Sequence, residues 1–346
     1  MSPQFAQLPK LSYAQLRVGG EDEALRTACM NDGAFYLEIS DGSDWSWQLV
    51  DSLLGDARAF FALPYDRKGT VAMTGSSYDG YKPKGNNIVD AQGTPDQNEF
   101  FNVSKHDALL KQCNVYTSRG LVSTRAAENI SRFIILSHDI LTTILTRLSS
   151  ALDLDPSDDL SNLHRRDAKS GDHLRFVKYL PEVTSLERNP HIMLIPHTDF
   201  GTLTLLYSRQ PGLEVMSPST QAWEPVEPKK EHFLVMVGDA LVKFTNGLLH
   251  SCLHRVSHFG GLVTSDANET TAEKLSLGYF LRPEDDALLC ARPSFSLKPA
   301  TTDEEPVRSD EWIKSRVTSS LVSSYASTAN SNWLQMRGTA SNWKER

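Results

Sequence analysis

The chain has 346 residues, a net charge of −8, 40% hydrophobic and 23% charged side chains, enough to bury one large core without disulfides. No Lys/Arg stripe runs against that acidic balance, which argues against a phosphate-backbone partner and so against DNA or RNA. Four scattered cysteines, Cys29, Cys113, Cys252 and Cys290, lack metal-knuckle spacing and read as reduced, buried thiols of a cytoplasmic protein. Met1 to Lys10 has neither a basic start nor an apolar segment, and no apolar run approaches about 18 residues, so no membrane contact is expected.

In chain order, Glu21 to Met30 reads as a short helix ended by Asp32-Gly33, and Ala34 to Ile39 as a strand. Asp44 is the expected cap of a second helix whose apolar positions Trp47, Val50, Leu54, Ala57 and Phe61 recur at helical spacing until Pro64. From Gly69 to Ser104 glycine, proline and asparagine dominate, and Gly80-Tyr81-Lys82-Pro83-Lys84-Gly85 is turn chemistry between short strands. Arg125 to Leu152 carries one apolar stripe, Ile130, Phe133, Ile134, Leu141, Ile144, Leu145, Leu148 and Leu152, and is read as a scaffold helix packed on the core. After Pro156 short strands take over, at Leu174 to Tyr179, Leu203 to Tyr207, Leu213 to Met216, Phe233 to Val237 and Leu275 to Leu281. They predict a mainly β, α+β architecture with a double-stranded β-helix (jelly-roll) core and flanking helices. Ser309 to Tyr325 reads as a final helix followed by a polar tail. The expected division is an N-terminal region 1–105 packing on the core, a catalytic region 106–325 and a tail 326–346, all one structural unit.

The chemistry concentrates in His197-Thr198-Asp199 and in His254-Arg255-Val256, the latter preceded by Gly238-Asp239 and Asn246-Gly247. A His and a carboxylate two residues apart point the same way in extended chain. Two imidazoles and one carboxylate on one side of Fe(II) leave the opposite positions open, as a catalytic rather than a closed structural site requires. His250, His254 and His258 share strand parity, so parity alone does not choose among them. The alternation of Arg255 and Val256 favours His254. His106, His138, His164, His173, His191 and His232 lack such context and are expected to be structural or surface residues.

These motifs resemble the isopenicillin N synthase-like branch of the Fe(II)/2-oxoglutarate-dependent dioxygenases, with Asp32 to Tyr36, Phe60 to Pro64 and Gly80-Tyr81 matching its N-terminal region and Ser251 falling inside its second iron motif. The resemblance implies His197, Asp199 and His254 as catalytic iron ligands, O2 and 2-oxoglutarate as co-substrates, ascorbate as an accessory reductant, and succinate and CO2 as products. It also implies that Tyr179, ahead of Pro181, contacts the co-substrate. The family's Arg-x-Ser pair, which holds the far carboxylate of 2-oxoglutarate, is here Lys274-Leu275-Ser276, after an insertion over 260–271; Arg282 and Arg175 are the alternative cations. Lysine meets a carboxylate as a point charge, guanidinium through two parallel hydrogen bonds.

The implied activity is oxidation of an unactivated C–H bond in a small, partly apolar secondary metabolite by hydroxylation, desaturation or ring rearrangement. Tyr81, Phe101, Phe200, Phe244, His250 and Phe280 are the candidate substrate contacts. The alternatives are an iron oxidase of the same branch that does without 2-oxoglutarate and a non-catalytic jelly-roll binding protein. A zinc hydrolase lacks an identifiable general base.

Overall fold

The computed structural model describes residues 5–40, 45–74, 79–87, 95–111, 113–180, 192–257, 274–295 and 306–320. Twelve strands build the two main sheets: β1 (Lys10–Ser12), β2 (Ala34–Glu38), β3 (Gly80–Lys82), β4 (Asn98–Ser104), β5 (His173–Tyr179), β6 (Ile192–His197), β7 (Leu203–Ser208), β8 (Leu213–Met216), β9 (Trp223–Pro225), β10 (His232–Val237), β11 (His254–Ser257) and β12 (Lys274–Leu281). The major sheet runs β1-β2-β10-β7-β12-β5-β4-β3 and the minor one β6-β11-β8-β9. Leu288–Leu289 and Val307–Arg308 pair separately.

Side-chain alternation divides the major sheet cleanly. On β12, Leu275, Leu277, Tyr279 and Leu281 join the large core with Phe233 and Val235 of β10 and Leu203 and Leu205 of β7. Their neighbours Lys274, Ser276 and Phe280 therefore face the other way. A second apolar cluster joins Tyr36, Tyr179, Leu234 and Met236 of the major sheet to Met193, Leu213, Val215 and Val256 of the minor one. The two sheets thus face each other as a jelly roll. Its inner face carries polar groups among the apolar ones, whereas the outer face is almost wholly apolar and is covered by helices.

Those helices are α1 (Asp22–Asn31), α2 (Trp47–Phe61) and α3 (Thr124–Ala151). The 28 residues of α3 bury the expected stripe of Ile130, Phe133, Ile134, Leu141, Ile144, Leu145 and Leu148, and Ser123 caps it by accepting from the Ala126 amide at 3.1 Å. The cap of α2 is Ser46, whose hydroxyl accepts from the Gln48 amide. Asp44 lies outside the described residues; Ser46 takes the role because it directly precedes the first helical residue in extended backbone. The C-terminal helix runs Ser309–Ser320, and the residues beyond it to Tyr325 lie outside the described ones. Among the described residues no helix is long and apolar enough to cross a membrane.

The glycine-rich stretch holds more strand than its composition predicts. All seven residues of β4 are buried. Asn98, Asn102 and Ser104 occupy inward positions in place of apolar residues, and this concealed the strand period.

A buried charge cluster ties α3 to the sheet. Asp172 accepts from Tyr279 Oη at 3.1 Å and from the Arg282 amide at 2.7 Å, with Lys105 Nζ at 3.1 Å and His138 Nδ1 at 3.4 Å. Burial pushes the Asp172 carboxyl up, but the His138 hydrogen bond and the Lys105 charge outweigh it and hold the group well below the usual carboxylate range. Replacing Asp172 with Asn leaves Lys105 uncompensated in the interior. The expected loss is about 3–5 kcal/mol of unfolding free energy, read by urea denaturation; a loss below about 1 kcal/mol would show that the cluster contributes little.

Candidate metal and co-substrate site

His197 ends β6 and His254 begins β11, and the two are direct partners in the antiparallel pairing of those strands. Their imidazoles therefore leave neighbouring backbones side by side, with ring centroids 4.2 Å apart. Asp199 is not in the strand, as extended parity would have it, but in the loop just beyond. The loop still returns its carboxylate to the same side, with Oδ1 3.9 Å from His197 Nε2. The coordinating atoms of all three residues lie within 4.8 Å of one another.

The loop is clamped by the start of a short helix, Asp239–Phe244. The amides of Gly238, Asp239 and Ala240 donate to the carbonyls of Thr202, Asp199 and Gly201 at 3.0, 2.8 and 3.0 Å, while Thr198 Oγ1 donates to Asp239 Oδ2 at 3.1 Å. A Cβ at Gly238 would lie 2.3 Å from the Gly201 oxygen, so the approach needs glycine. The Gly238-Asp239 motif thus fixes the metal loop. Asn246-Gly247 has positive φ at both residues and turns the chain off this helix toward His254. Gly33 supports the same segment from the N-terminal region: its φ is +65°, and a Cβ there would meet the His250 carbonyl at 2.4 Å.

Local hydrogen bonds orient each ligand. His197 Nδ1 lies 2.8 Å from the Ile195 carbonyl and His254 Nδ1 3.0 Å from the Cys252 carbonyl. A carbonyl only accepts, so each Nδ1 carries the proton and each Nε2 offers its lone pair inward. Thr204 Oγ1 donates to Asp199 Oδ2 at 2.6 Å, leaving Oδ1 turned to the imidazoles. Burial, with the neighbouring His254 charge, pushes the His197 imidazole down to about 4, so it is a neutral ligand at neutral pH. Two nitrogens and one carboxylate oxygen on one side, with no fourth metal-binding side chain in the cluster among the described residues, fit a ferrous ion with open positions.

Farther along the inner face, Lys274 of β12 is the register partner of Tyr179 of β5. Lys274 is 9% exposed, and its Nζ donates to the Pro211 carbonyl at 2.9 Å and lies 5.6 Å from the centre of the Tyr179 ring. Among the described residues no carboxylate pairs with it. Burial pushes its ammonium down to about 7. The Tyr179 phenol is held up by burial, against a hydrogen bond with Ser276. Of the alternative cations, Arg282 lies past the far end of β12, where its amide binds Asp172. Arg175 pairs in register with Gly278, four residues from Lys274.

The candidate substrate contacts divide. Phe101 stacks on Phe60 at 4.1 Å, Tyr81 donates to Glu99 Oε2 at 2.6 Å, and both belong with Phe244 to the large core behind the sheet. Their strand parity or helix face turns them away from the interior, so these three do not line the site. Phe280 faces inward, stacked on His173 at 4.8 Å, which brings His173 closer to the site than its lack of a motif suggested. Phe200 adjoins Asp199, and its carbonyl accepts from Trp312 Nε1 at 3.4 Å. His250 is half-buried, its amide donating to the Cys29 carbonyl at 3.1 Å. His191, His258, Pro181 and the 260–271 insertion lie outside the described residues. Thr204 and Asn102 went unnoticed in the sequence, because isolated polar residues in strands carry no local signal of direction.

Residues 171–283 match the model of the 2OG-Fe(II) oxygenase superfamily, and residues 12–119 that of the "non-haem dioxygenase in morphine synthesis N-terminal" family. The chain is 34% identical over 286 residues to the 2-oxoglutarate-dependent dioxygenase gloE of Glarea lozoyensis, covering 82% of this chain and 81% of that one. It is 29% identical over 313 residues to the 2-oxoglutarate-dependent dioxygenase FG08081 of Gibberella zeae, covering 89% and 86%. Among solved structures, a full-length Neurospora crassa protein in complex with alpha-KG and thymine superimposes with a TM-score of 0.71 at 18% identity, over 90% of this chain and 96% of that chain. The dioxygenase for auxin oxidation of rice gives 0.68 at 21%, over 90% and 95%. With a jelly roll that brings His197, Asp199 and His254 together, the chain belongs to the Fe(II)- and 2-oxoglutarate-dependent oxygenases.

Proposed function

We propose that His197, Asp199 and His254 hold the ferrous ion, that Lys274, Ser276 and Tyr179 hold the far carboxylate of 2-oxoglutarate, and that the enzyme oxidises a C–H bond of a small secondary metabolite in the cytoplasm. The observation that carries this reading is a three-donor cluster sharing one interior with a buried lysine that lacks a carboxylate partner among the described residues. When bound, iron and 2-oxoglutarate supply the oxidising chemistry, with O2 consumed and succinate and CO2 released. The protein supplies position. The two Nδ1–carbonyl hydrogen bonds keep both imidazoles in the ligating tautomer, Thr204 keeps one oxygen of Asp199 turned inward, and the apolar cluster between the sheets excludes water. Lys274 attracts the co-substrate's far end as a point charge, and the Ser276 and Tyr179 hydroxyls add direction. The four free cysteines, three of them buried, suit a reducing cytosol.

Three outcomes test this assignment. His197→Ala and His254→Ala each abolish succinate release and weaken Fe(II) binding in calorimetric titration; full turnover in His254→Ala would move the second imidazole elsewhere. Thr204→Val, which keeps the shape and removes the donor, lowers metal affinity by about 10–100-fold; unchanged affinity would count against an orienting role. Lys274 gives a pH signature. Its ammonium in the free protein loses its proton near 7, and only the protonated form attracts a carboxylate. The 2-oxoglutarate dissociation constant of the Fe(II)-loaded protein should therefore rise as pH climbs from about 6 to 9, approaching tenfold per pH unit above 7. Lys274→Arg, charged throughout, should flatten that rise; a wild-type constant independent of pH would remove Lys274 from the carboxylate.

A further inference from the structure

The metal end of the inner face holds a second cationic group, separate from Lys274. Thr204, which binds Asp199, is the register partner of Phe280, which pairs in turn with His173. One step along the same face, Gly278 pairs with Arg175 and Arg175 with Asn102 of β4. The Lys274–Tyr179 pair lies four residues farther on, about 13 Å at the usual strand rise. Arg175 and Asn102 are thus near the metal ligands and remote from the proposed 2-oxoglutarate carboxylate site.

The guanidinium of Arg175 lies between two aromatic rings, 4.2 Å from the centre of Phe100 and 4.9 Å from that of Phe280. Its Nε donates to Asn102 Oδ1 at 2.9 Å. That bond fixes the amide, because the flipped orientation would set two donors against each other. Asn102 Nδ2 therefore presents its hydrogens beside the guanidinium. Asn102 is 0% exposed, and its Nδ2 has no hydrogen-bond partner among the described residues. A buried donor left unpaired is destabilising, and a ligand acceptor would remove that cost. Elsewhere on the same face Tyr36, Leu234 and Met236 present apolar groups.

We infer that Arg175 and Asn102 form the recognition point for the primary substrate, and that this substrate is a carboxylic acid whose apolar body lies along Phe100 and Phe280 with its reactive carbon toward the metal. This deepens the proposed function and rests on it for the identity of the site. A guanidinium and an adjacent amide offer parallel donors that match the two oxygens of a carboxylate, and ring faces favour a flat or apolar attachment.

The test uses anaerobic wild-type protein loaded with Fe(II) and 2-oxoglutarate, titrated calorimetrically with phenylacetate, cinnamate and the methyl ester of each. The 2-oxoglutarate titration comes first; its failure would sink the functional reading itself, whereas success followed by failure with the acids sinks only this inference. In the wild type at least one acid should bind about tenfold or more tighter than its ester. Arg175→Gln should erase that preference and Arg175→Lys retain part of it. Asn102→Asp, which sets an anion against the guanidinium, should weaken the acid by about tenfold or more and leave the ester unchanged. Each variant should bind 2-oxoglutarate within about threefold of wild type, which also certifies its fold. Equal binding of acid and ester, no binding of either acid at millimolar concentration, or a loss in Arg175→Gln that falls on 2-oxoglutarate would overturn the assignment.

Discussion

The antiparallel pairing of His197 with His254 is the contact on which the site depends. It joins the end of one strand to the start of another that is distant in the chain, and it sets both rings on one face at van der Waals distance. Backbone hydrogen bonds of the minor sheet fix that register, so no side-chain adjustment is needed to bring the two nitrogens together. The third donor comes from outside the sheet, and its position is maintained by the amides at the start of Asp239–Phe244, which grip the loop carbonyls. The placement of the three donors is thus set by strand register and one glycine contact.

The same alternation of strand side chains separates structure from chemistry. Outward positions of the major sheet bury apolar side chains under α1, α2 and α3, and that core supplies the stability against which polar inward positions can be tolerated. Inward positions carry Lys274, then Ser276, then the paired Arg175 and Asn102 at successive register steps. The N-terminal region contributes both edges of the major sheet, β3 and β4 on one side and β1 and β2 on the other, and Gly33 props the segment that leads to His254.

Much of this was legible from residue order. The helical stripe of α3 and the strands from Leu174 onward stand out because one side of each is uniformly apolar. The iron donors stand out because His-x-Asp is short-range and Asn246-Gly247 marks a turn. Strand β4 did not, because Asn98, Asn102 and Ser104 replace apolar residues on its inward face. Phe101 and Phe244 were misplaced toward the pocket for the converse reason, since an aromatic beside a motif looks the same in sequence whether it faces the core or the cavity. The cap of α2 was set two residues early because Asp and Ser are equally good caps, and only backbone dihedrals distinguish them.

By itself the sequence determined the fold class and the His-x-Asp half of the metal site, because each depends on periodicity or on residues within a few positions of one another; the choice of His254 and of Lys274 rested on resemblance to the family. Tertiary structure alone decided which side of the sheet Tyr81 and Phe101 face, the isolation of Lys274 from any carboxylate among the described residues, and the meeting of Asn102 with Arg175 between two rings. Those are relations between strands far apart in the chain, set by cross-strand register, a quantity that no local pattern of residues encodes.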